Sequence, residues 1–600
     1  MQYWLSILDE IFIYVIFAVS LNLLMGYAGQ ISVAHGAFGA IGGYTAAFLA
    51  VNHHVAALPA LLLGMAAAFV IGLVVSLPAL RLSPEYLILL TIAVSSIVLL
   101  TVAAVPELGG SYGLILPTAA DFSPLPGGSL LLPGQWVLPL LAASVAVVAV
   151  CWRMGESPWG RVLRAIRDDE LATLALGKNV SAYKAAVFGI TAGLAGLAGA
   201  LLFFFNQLAS PDVYSFNVSL AIFAMVIFGG VGNLRGSVAG AVVLVLLQPL
   251  LEKVIQVDPS KSFLIQLVIY GTGLVLMMRL RPQGMVPEGA SLLGAIRTRR
   301  GRVPAAVPVP PARQPAEPGT AATRLVAPRP DGGAPPVVVL EVRGLSKQFG
   351  GIVAADALDL DLARGRITAL VGPNGAGKTT VFNLLTGAIR ADAGSIRLSG
   401  RELSGKRPDQ VARLGMARSF QDVRIFPRLP VLANVMLGVQ QPAPAGWRWP
   451  VYARGGEHLA DLFLRPRFTA RLEQQARDEA MRWLELTGLA GEAAALAGSL
   501  AYGQQKLLSL ARLLATGADV MLLDEPTSGV DARWLDSMLE LVASLRTHGK
   551  TVCIVEHSLH VVEQLADTVC FMELGKITAR GPIRELTSDP RLAESYFGTV

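Results

Sequence analysis

The residues best suited to chemistry lie in the second half of the chain, in GPNGAGKTT from Gly372 to Thr380. Gly372, Gly377, Lys378 and Thr379 fit the G-x-x-x-x-G-K-[S/T] pattern, with Asn374, Gly375, Ala376 and Thr380 completing the loop. Glycines there let backbone N–H groups wrap phosphate oxygens at a helix N-terminus. Lys378 brings a point charge to the β and γ phosphates, and Thr379 offers a hydroxyl to Mg²⁺. Further along, ADVMLLDEP ends an apolar run in Asp524 and Glu525. Asp524 suits a Mg²⁺ contact through water, and Glu525 suits polarising the water that attacks a γ-phosphate. An acidic pair closing a strand is often only structural; the phosphate loop upstream tips it towards nucleoside triphosphate hydrolysis.

Both motifs need buried strands to hold them. ITALV (367–371) reads as a strand feeding the phosphate loop, VFNLLTG as the helix that follows, and Val520 to Leu523 as a second buried strand. From about residue 338 onward, short apolar runs alternate with charged segments, as in a cytosolic α/β domain. The first half differs. With 600 residues, 53% hydrophobic, 15% charged and a mean hydropathy of +0.55, the chain is too apolar for an ordinary soluble enzyme and too long for one domain. The same values exclude a disordered or fibrous chain. Cys151, Cys553 and Cys570 are too few and scattered for a disulfide framework or a paired-spacing zinc site, and read as buried thiols.

Membrane spans are expected at residues 10–26, 30–51, 58–80, 86–106, 132–152, 183–206, 217–231, 237–252 and 261–279, within an expected count of eight to ten. The opening MQYWLSILDE lacks a basic signal-peptide region and reads as part of a retained helix. The second span is polar and glycine-rich, which suits an interrupted helix inside a bundle. Before Arg153 the only Lys or Arg is Arg81; then come Arg153, Arg161, Arg164, Arg167, Lys178 and Lys184, and later Arg279 and Arg281. Cytosolic loops hold positive charge, so the N-terminus is expected outside and the C-terminus inside.

Residues 153–184 interleave Val162, Leu163, Ile166, Leu171, Leu174 and Leu176 with charges. A short amphipathic helix across the cytosolic mouth is expected, an interfacial helix resting on lipid being the alternative. The following TAGLAGLAGALL has small residues at repeated spacing, which lets membrane helices approach closely. Asn22, Gln30, Ser32 and His35 could line a substrate path, but each alone is more often an interhelical hydrogen-bond partner, so the substrate path is left unassigned. Residues 281–337 carry ten prolines between Pro304 and Pro336, and eight arginines against three acidic residues. They read as a partly extended tether that favours anionic lipid headgroups or simple solubilisation over nucleic acid.

The block SLAYGQQKLLSLARLLATGADVMLLDEPTSGVD resembles the signature, Walker B and D-loop segment of ATP-binding cassette (ABC) proteins. Leu500, Ala501, Tyr502, Gly503 and Gln504 stand where the signature usually reads LSGGQ. The resemblance implies that Ala501 to Gln504 face the ATP of a partner cassette, with Gly503 approaching its phosphate and Ala501 offering no hydroxyl. The tyrosine-glycine-glutamine form is similar to the ATPases of branched-chain amino-acid importers. Gln421 in ARSFQDVRIFP fits the Q-loop that contacts Mg²⁺, His557 in CIVEHSL the switch histidine near the γ-phosphate, and Phe349 in KQFGG the aromatic that stacks on adenine. Ser558 follows His557 where the family commonly has aspartate. LNLLMGYAGQISVAHGAFGAIGGYTAA, the 153–184 loop and TAGLAGLAGALL resemble successive blocks of the permeases of the same importers, and the loop would be the coupling helix.

These readings together predict an all-α polytopic membrane permease domain (1–280), a Pro/Arg-rich linker (281–337) and an α/β P-loop ABC nucleotide-binding domain (338–600). The resemblance implies an ATP- and Mg²⁺-dependent importer of branched-chain or similar small hydrophobic amino acids in the bacterial inner membrane. It implies a second permease and a second ATPase, or a homodimer of this fusion, together with an extracytoplasmic substrate-binding protein. The rivals are an importer of urea, short amides or another small amino acid, and a membrane-tethered regulatory ATPase that transports nothing.

Overall fold

The computed structural model describes residues 2–117, 120–121, 129–130, 133–254, 259–281, 283–288, 337–439 and 459–587; nearly all of the expected linker lies outside them. The chain forms two compact units. One comprises Met1–Arg167 with Ser181–Pro310, the other Asp168–Val180 with Pro311–Val600.

The first unit is helical: α1 (Gln2–Asn22), α2 (His35–Asn52), α3 (Ala57–Ala79), α4 (Pro84–Ala104), α5 (Pro133–Gly155), α6 (Pro158–Asp168), then, beyond α7 (Glu170–Ala175) of the other unit, α8 (Val180–Asn206), α9 (Phe216–Gly229), α10 (Leu234–Val245), α11 (Leu247–Pro249) and α12 (Pro259–Leu280). Seven helical stretches among the described residues are long and apolar enough to cross a membrane, namely Gln2–Tyr27, Ala57–Ala79, Pro84–Ala104, Gly134–Gly155, Val180–Asn206, Pro211–Gly229 and Leu234–Lys253. Helices α2 and α12 stand where the other two spans were expected, α2 less apolar because of its glycines and polar ends. Two short antiparallel pairs join β1 (Leu114–Ile115) to β4 (Leu208–Ala209) and β2 (Ala120–Asp121) to β3 (Ser129–Leu130).

The non-helical stretch falls at the start of the expected second span, ahead of His35. Helix α1 runs into a π-helical turn, Leu23–Tyr27, Ala28 is still helical, and residues 29–34 are non-helical, with Gly29 at φ +69°. Arg167, at the end of α6, donates to the Gly26 carbonyl and pairs with Glu288 at 3.1 Å. A cation thus meets the Gly26 carbonyl of the π turn, at a helix end where the dipole favours positive charge. Asn22 is the interhelical partner that its type suggests. Its Nδ2 donates to the Gly230 and Asn233 carbonyls and to Ser237 Oγ at 3.2, 2.9 and 2.6 Å, and its Oδ1 accepts from Gly232 N–H at 2.8 Å.

The small-residue run of α8 packs on α2. A Cβ on Gly199 would lie 2.0 Å from the Gly39 carbonyl oxygen, and one on Gly42 would lie 2.1 Å from that of Gly196. Lipid supplies no hydrophobic drive to pair helices, so backbone approach of this kind supplies the contact instead.

In the second unit, β5 (Val338–Phe349), β6 (Ile352–Ala363), β8 (Ala393–Leu398) and β9 (Arg401–Glu402) form an antiparallel sheet in the order β6-β5-β8-β9. A six-stranded sheet runs β10 (Met416–Arg418), β11 (Val520–Asp524), β12 (Thr551–Val555), β7 (Ile367–Val371), β13 (Thr568–Glu573) and β14 (Lys576–Gly581), parallel except at β13/β14. Leu522 pairs with Cys553, and Ile554 with Ala369. Every residue of β7, β11 and β12 is buried, which explains their unbroken apolar sequence. Cys553 and Cys570 act here as small apolar residues; all three cysteines are free and buried.

The loop expected to hold one short helix holds two. Asp169 is extended (φ −155°, ψ 108°) between α6 and α7, and its Oδ1 caps α7 by accepting from Ala172 N–H at 2.8 Å. Val162, Leu163 and Ile166 are buried on α6, whereas Leu171 on α7 is exposed.

Candidate functional site

Strand β7 delivers the phosphate loop, and its glycines are required for different reasons. Gly372 (φ +150°) lies under the Met572 carbonyl oxygen, 2.0 Å from where a Cβ would stand, and Gly377 (φ +102°) lies 2.2 Å in the same sense from that of Ala354. Gly375 (φ +83°) faces open space, so its need is conformational alone. Asn374 and Thr379 are exposed at the rim, Thr380 is half-buried, and Ala376 is buried below. Helix Lys378–Leu385 begins here. Lys378 Nζ donates to the carbonyls of Gly372 and Pro373 at 2.7 and 2.9 Å. Burial lowers its pKa, while Glu525 and Asp524 pull the other way.

Strand β11 delivers the acidic pair. Asp524 is 1% exposed; its Oδ2 meets Arg418 Nη2 at 3.1 Å, and its N–H donates to Ser419 Oγ at 2.9 Å. Its Oδ1 is buried without a partner. Burial raises the Asp524 pKa against the pull of Arg418. Glu525 holds φ +46°, a strained backbone for a non-glycine residue and a feature common at functional sites. Its Oε2 accepts from Gln421 Nε2 at 3.1 Å, and its Oε1 lies 3.1 Å from His557 Nε2. Gln421, Glu525 and His557, far apart in sequence, thus converge on one carboxylate.

The arrangement fits a triphosphate with a divalent cation. Among the described residues, no group of three or more His, Cys, Asp or Glu side chains gathers as a metal site by itself. The orphaned Asp524 Oδ1, Thr379 and Gln421 could instead share a Mg²⁺ with nucleotide phosphates, as that ion usually prefers.

Phe349 stands apart, at the half-exposed end of β5 with Lys347 Nζ 5.4 Å from its ring centroid. Its hairpin reaches the loop through Ala354 on β6, the residue against Gly377. The signature caps helix Tyr502–Leu514. Ala501 precedes it, Gln504 Oε1 accepts from Ala501 N–H at 3.1 Å, and the Tyr502 ring packs on Gly529. Gly503 has an intrachain reason to be glycine: a Cβ would lie 2.6 Å from Trp534 Cδ1.

Sequence reasoning missed Arg418 and Lys506. Lys506 Nζ donates to the Glu525 carbonyl at 3.1 Å and to that of Gln421 at 3.4 Å, and burial lowers its pKa. It shares the buried face of its helix with Gly503, Leu507 and Leu510, and a lysine in that stripe was a readable signal. Arg418 was readable likewise, as a lone charge in a short apolar strand. Glu556, beside His557, accepts from Thr527 N–H and Oγ1 at 3.0 and 2.7 Å and so ties β12 to the segment after Glu525.

Comparison with known proteins agrees with both halves. Residues 3–276 match the family model described as branched-chain amino acid transport system / permease component, and residues 355–528 match that of ABC transporter. The high-affinity branched-chain amino acid transport ATP-binding protein BraF of Pseudomonas aeruginosa is 35% identical over 261 residues, which is 43% of this chain and 98% of that protein. LivG of Escherichia coli K12 is 35% identical over the same shares. A solved nucleotide-free ATP-binding cassette from an ABC transporter is 28% identical, covering 44% of this chain and 100% of its own, at a TM-score of 0.37. The chain belongs to the branched-chain amino acid transport family of ABC transporters, and carries a multi-pass permease component and an ATP-binding component in one polypeptide.

Proposed function

We propose that this chain is the permease–ATPase subunit of an ATP-driven importer of branched-chain or similar small hydrophobic amino acids, placed in the bacterial inner membrane with its cassette in the cytosol. The observation that carries the reading is the convergence of Gln421 and His557 on Glu525, in a chain whose other half is a multi-span bundle.

Lys378 exchanges its own loop carbonyls for phosphate oxygens when nucleotide binds, and Thr379, Gln421 and Asp524 are the residues that would hold Mg²⁺, which would supply neutralising charge to the phosphates. Gln421 would have to leave Glu525 Oε2 to do so, and Glu525 Oε2 is then the oxygen free to orient the attacking water. His557 stays within reach of the other oxygen and of the developing phosphate charge. Phe349 offers its exposed ring to adenine. Residues Ala501 to Gln504 complete the ATP site of a second cassette, with Gln504 bracing the turn. Two cassettes are therefore required, from a second ATPase subunit or a second copy of this fusion. A second permease and an extracytoplasmic substrate-binding protein complete the assembly. Alternating access then follows from the differential affinity of the open and closed cassette pair for ATP.

The test is uptake of labelled leucine by cells expressing this chain with its candidate partners, with urea in parallel and Glu525→Gln as control. Leucine uptake that disappears in the variant supports the reading. Urea uptake alone replaces the substrate, and transport unchanged by Glu525→Gln overturns the mechanism.

A further inference from the structure

The two arginines that flank the Q-loop glutamine share one aromatic ring. The Arg418 guanidinium carbon lies 5.4 Å from the Phe420 ring centroid, and that of Arg424 lies 5.2 Å from it. Each arginine has its own carboxylate. Arg424 Nη1 pairs with Asp169 Oδ2 at 3.0 Å, and Arg418 Nη2 pairs with Asp524 Oδ2 at 3.1 Å. Asp169 is the residue that caps α7, and Asp524 is the buried carboxylate with one oxygen still unpartnered.

Arg418 is held by contacts besides that with Asp524, although its Nε meets no acceptor. Its Nη1 donates to Asn383 Oδ1 in the phosphate-loop helix, its guanidinium also lies 5.7 Å from the Phe382 ring centroid, and its side chain is 6% exposed. Arg424 is held from behind as well, because its carbonyl accepts from Arg512 of the signature helix, a residue 4% exposed over the Phe426 ring. Between the two guanidinium groups lies the half-buried Phe420 ring. Two cations on one ring repel each other, and the pair is tolerable while each keeps its carboxylate. Loss of the Asp169 contact would leave the Arg424 charge uncompensated beside Arg418.

We propose that Phe420 is a positioning residue that couples the Asp169–Arg424 pair to the Arg418–Asp524 pair, so that the placement of the α7 segment sets how Asp524 is presented to the nucleotide site. This rests on the ATPase reading of Asp524 and Glu525.

The experiment measures ATP turnover by the full chain, assembled with its partner subunits in lipid nanodiscs, across a double-mutant cycle of Asp169→Asn and Phe420→Leu. Each single variant is expected to lower kcat roughly fivefold with KM for ATP changed less than about twofold. The double variant is expected to be no slower than Phe420→Leu alone, and Phe420→Tyr, which keeps the ring, is expected to restore both kcat and the sensitivity to Asp169→Asn. Phe420→Met serves in place of Phe420→Leu if thermal unfolding shows the latter to be misfolded. Multiplying effects of the two variants, a change confined to KM, or no rescue by Phe420→Tyr would each overturn the coupling. Turnover that survives Glu525→Gln would instead overturn the ATPase reading, so the two failures are distinguishable.

Discussion

In the cassette, Asp524 lies 1% exposed with an arginine at 3.1 Å, whereas Asp9 in the permease unit is 0% exposed and neither of its carboxylate oxygens meets a donor. Gln30, His35 and Tyr44 on or before α2 also hold buried polar atoms without partners. The cassette spends its buried polar groups on contacts across long sequence separations, as in Arg418 to Asp524 and Thr527 to Glu556. The bundle relies on backbone approach instead, with Gly39, Gly42, Gly196 and Gly199 admitting one helix to another. Water competes for every polar group at a soluble surface, so directed pairs specify that fold. In lipid, close packing takes over much of that role, alongside buried side-chain bonds such as those of Asn22, Thr91 and Ser219.

The sharpest way to break this comparison is at the carboxylate where the cassette's pairs converge. Glu525→Gln should lower ATP turnover by roughly 10²- to 10⁴-fold while nucleotide binding persists, since it removes the proposed general base and keeps the side chain's size. A turnover assay beside a nucleotide-binding titration checks both halves of that statement; a loss of binding would mean that Glu525 holds the loop together.

Next in size is Arg418→Met. It leaves Asp524 as a buried charge without its partner and should cost about 3–5 kcal/mol of cassette stability. Adding Asp524→Asn should recover part of that loss, because the uncompensated charge goes with it. Chemical denaturation of the three variants measures this, and no recovery in the double variant would move the cost from charge to packing.

On the bundle side, Gly199→Val puts a side chain where the Gly39 carbonyl oxygen already lies within 2.0 Å of a Cβ. About 1–3 kcal/mol, or more if α2 cannot shift, should be lost by overpacking, read as a lower thermal midpoint of the full chain in detergent. Asn22→Leu should cost about 1–3 kcal/mol by leaving the Gly232 N–H without its acceptor. If Asn22→Leu proved the more damaging of the two, the contrast between packing and pairing would fail.

The parts legible in sequence are those whose geometry is local. Gly372 to Thr380 is a single loop, and Asp524 with Glu525 closes a single strand, so spacing reveals them. Gln421 and His557 needed the order of motifs around them, because nothing near either residue states that both reach Glu525. Arg418 and Lys506 were missed because their roles are long-range hydrogen bonds, although a charge on a buried strand or helix face is itself a signal. The small-residue run of α8 revealed packing but not its partner α2. The break at residues 29–34 opens the span in which it was expected, but its contact with Arg167, which lies well over a hundred residues downstream on α6 and docks on Gly26 and Gly29, is not written in the local sequence.

The smallest effect expected is on pH, and it separates the two kinds of buried acid within the cassette itself. Burial raises the pKa of Asp524 above the ordinary aspartate value, so the folded state holds that proton more tightly than the unfolded chain does. The sign follows from linkage. The contribution of this group to stability is fully present below the ordinary aspartate range and is lost as pH rises through the raised value, a modest penalty at neutral pH offset by the Arg418 pair. Mg²⁺ binding runs the other way, because a carboxylate must be ionised to serve the ion. Mg²⁺ affinity in the presence of nucleotide should therefore weaken as pH falls through the raised value, with protons released on binding there. Calorimetric titration in two buffers of different ionisation heat counts those protons. Asp524→Asn should remove the release, whereas Glu556→Gln, at a carboxylate also raised by burial but bonded to Thr527, should leave it in place. Proton release unchanged by Asp524→Asn would assign the ion's carboxylate elsewhere and remove the reason for Asp524 to keep one oxygen unpaired.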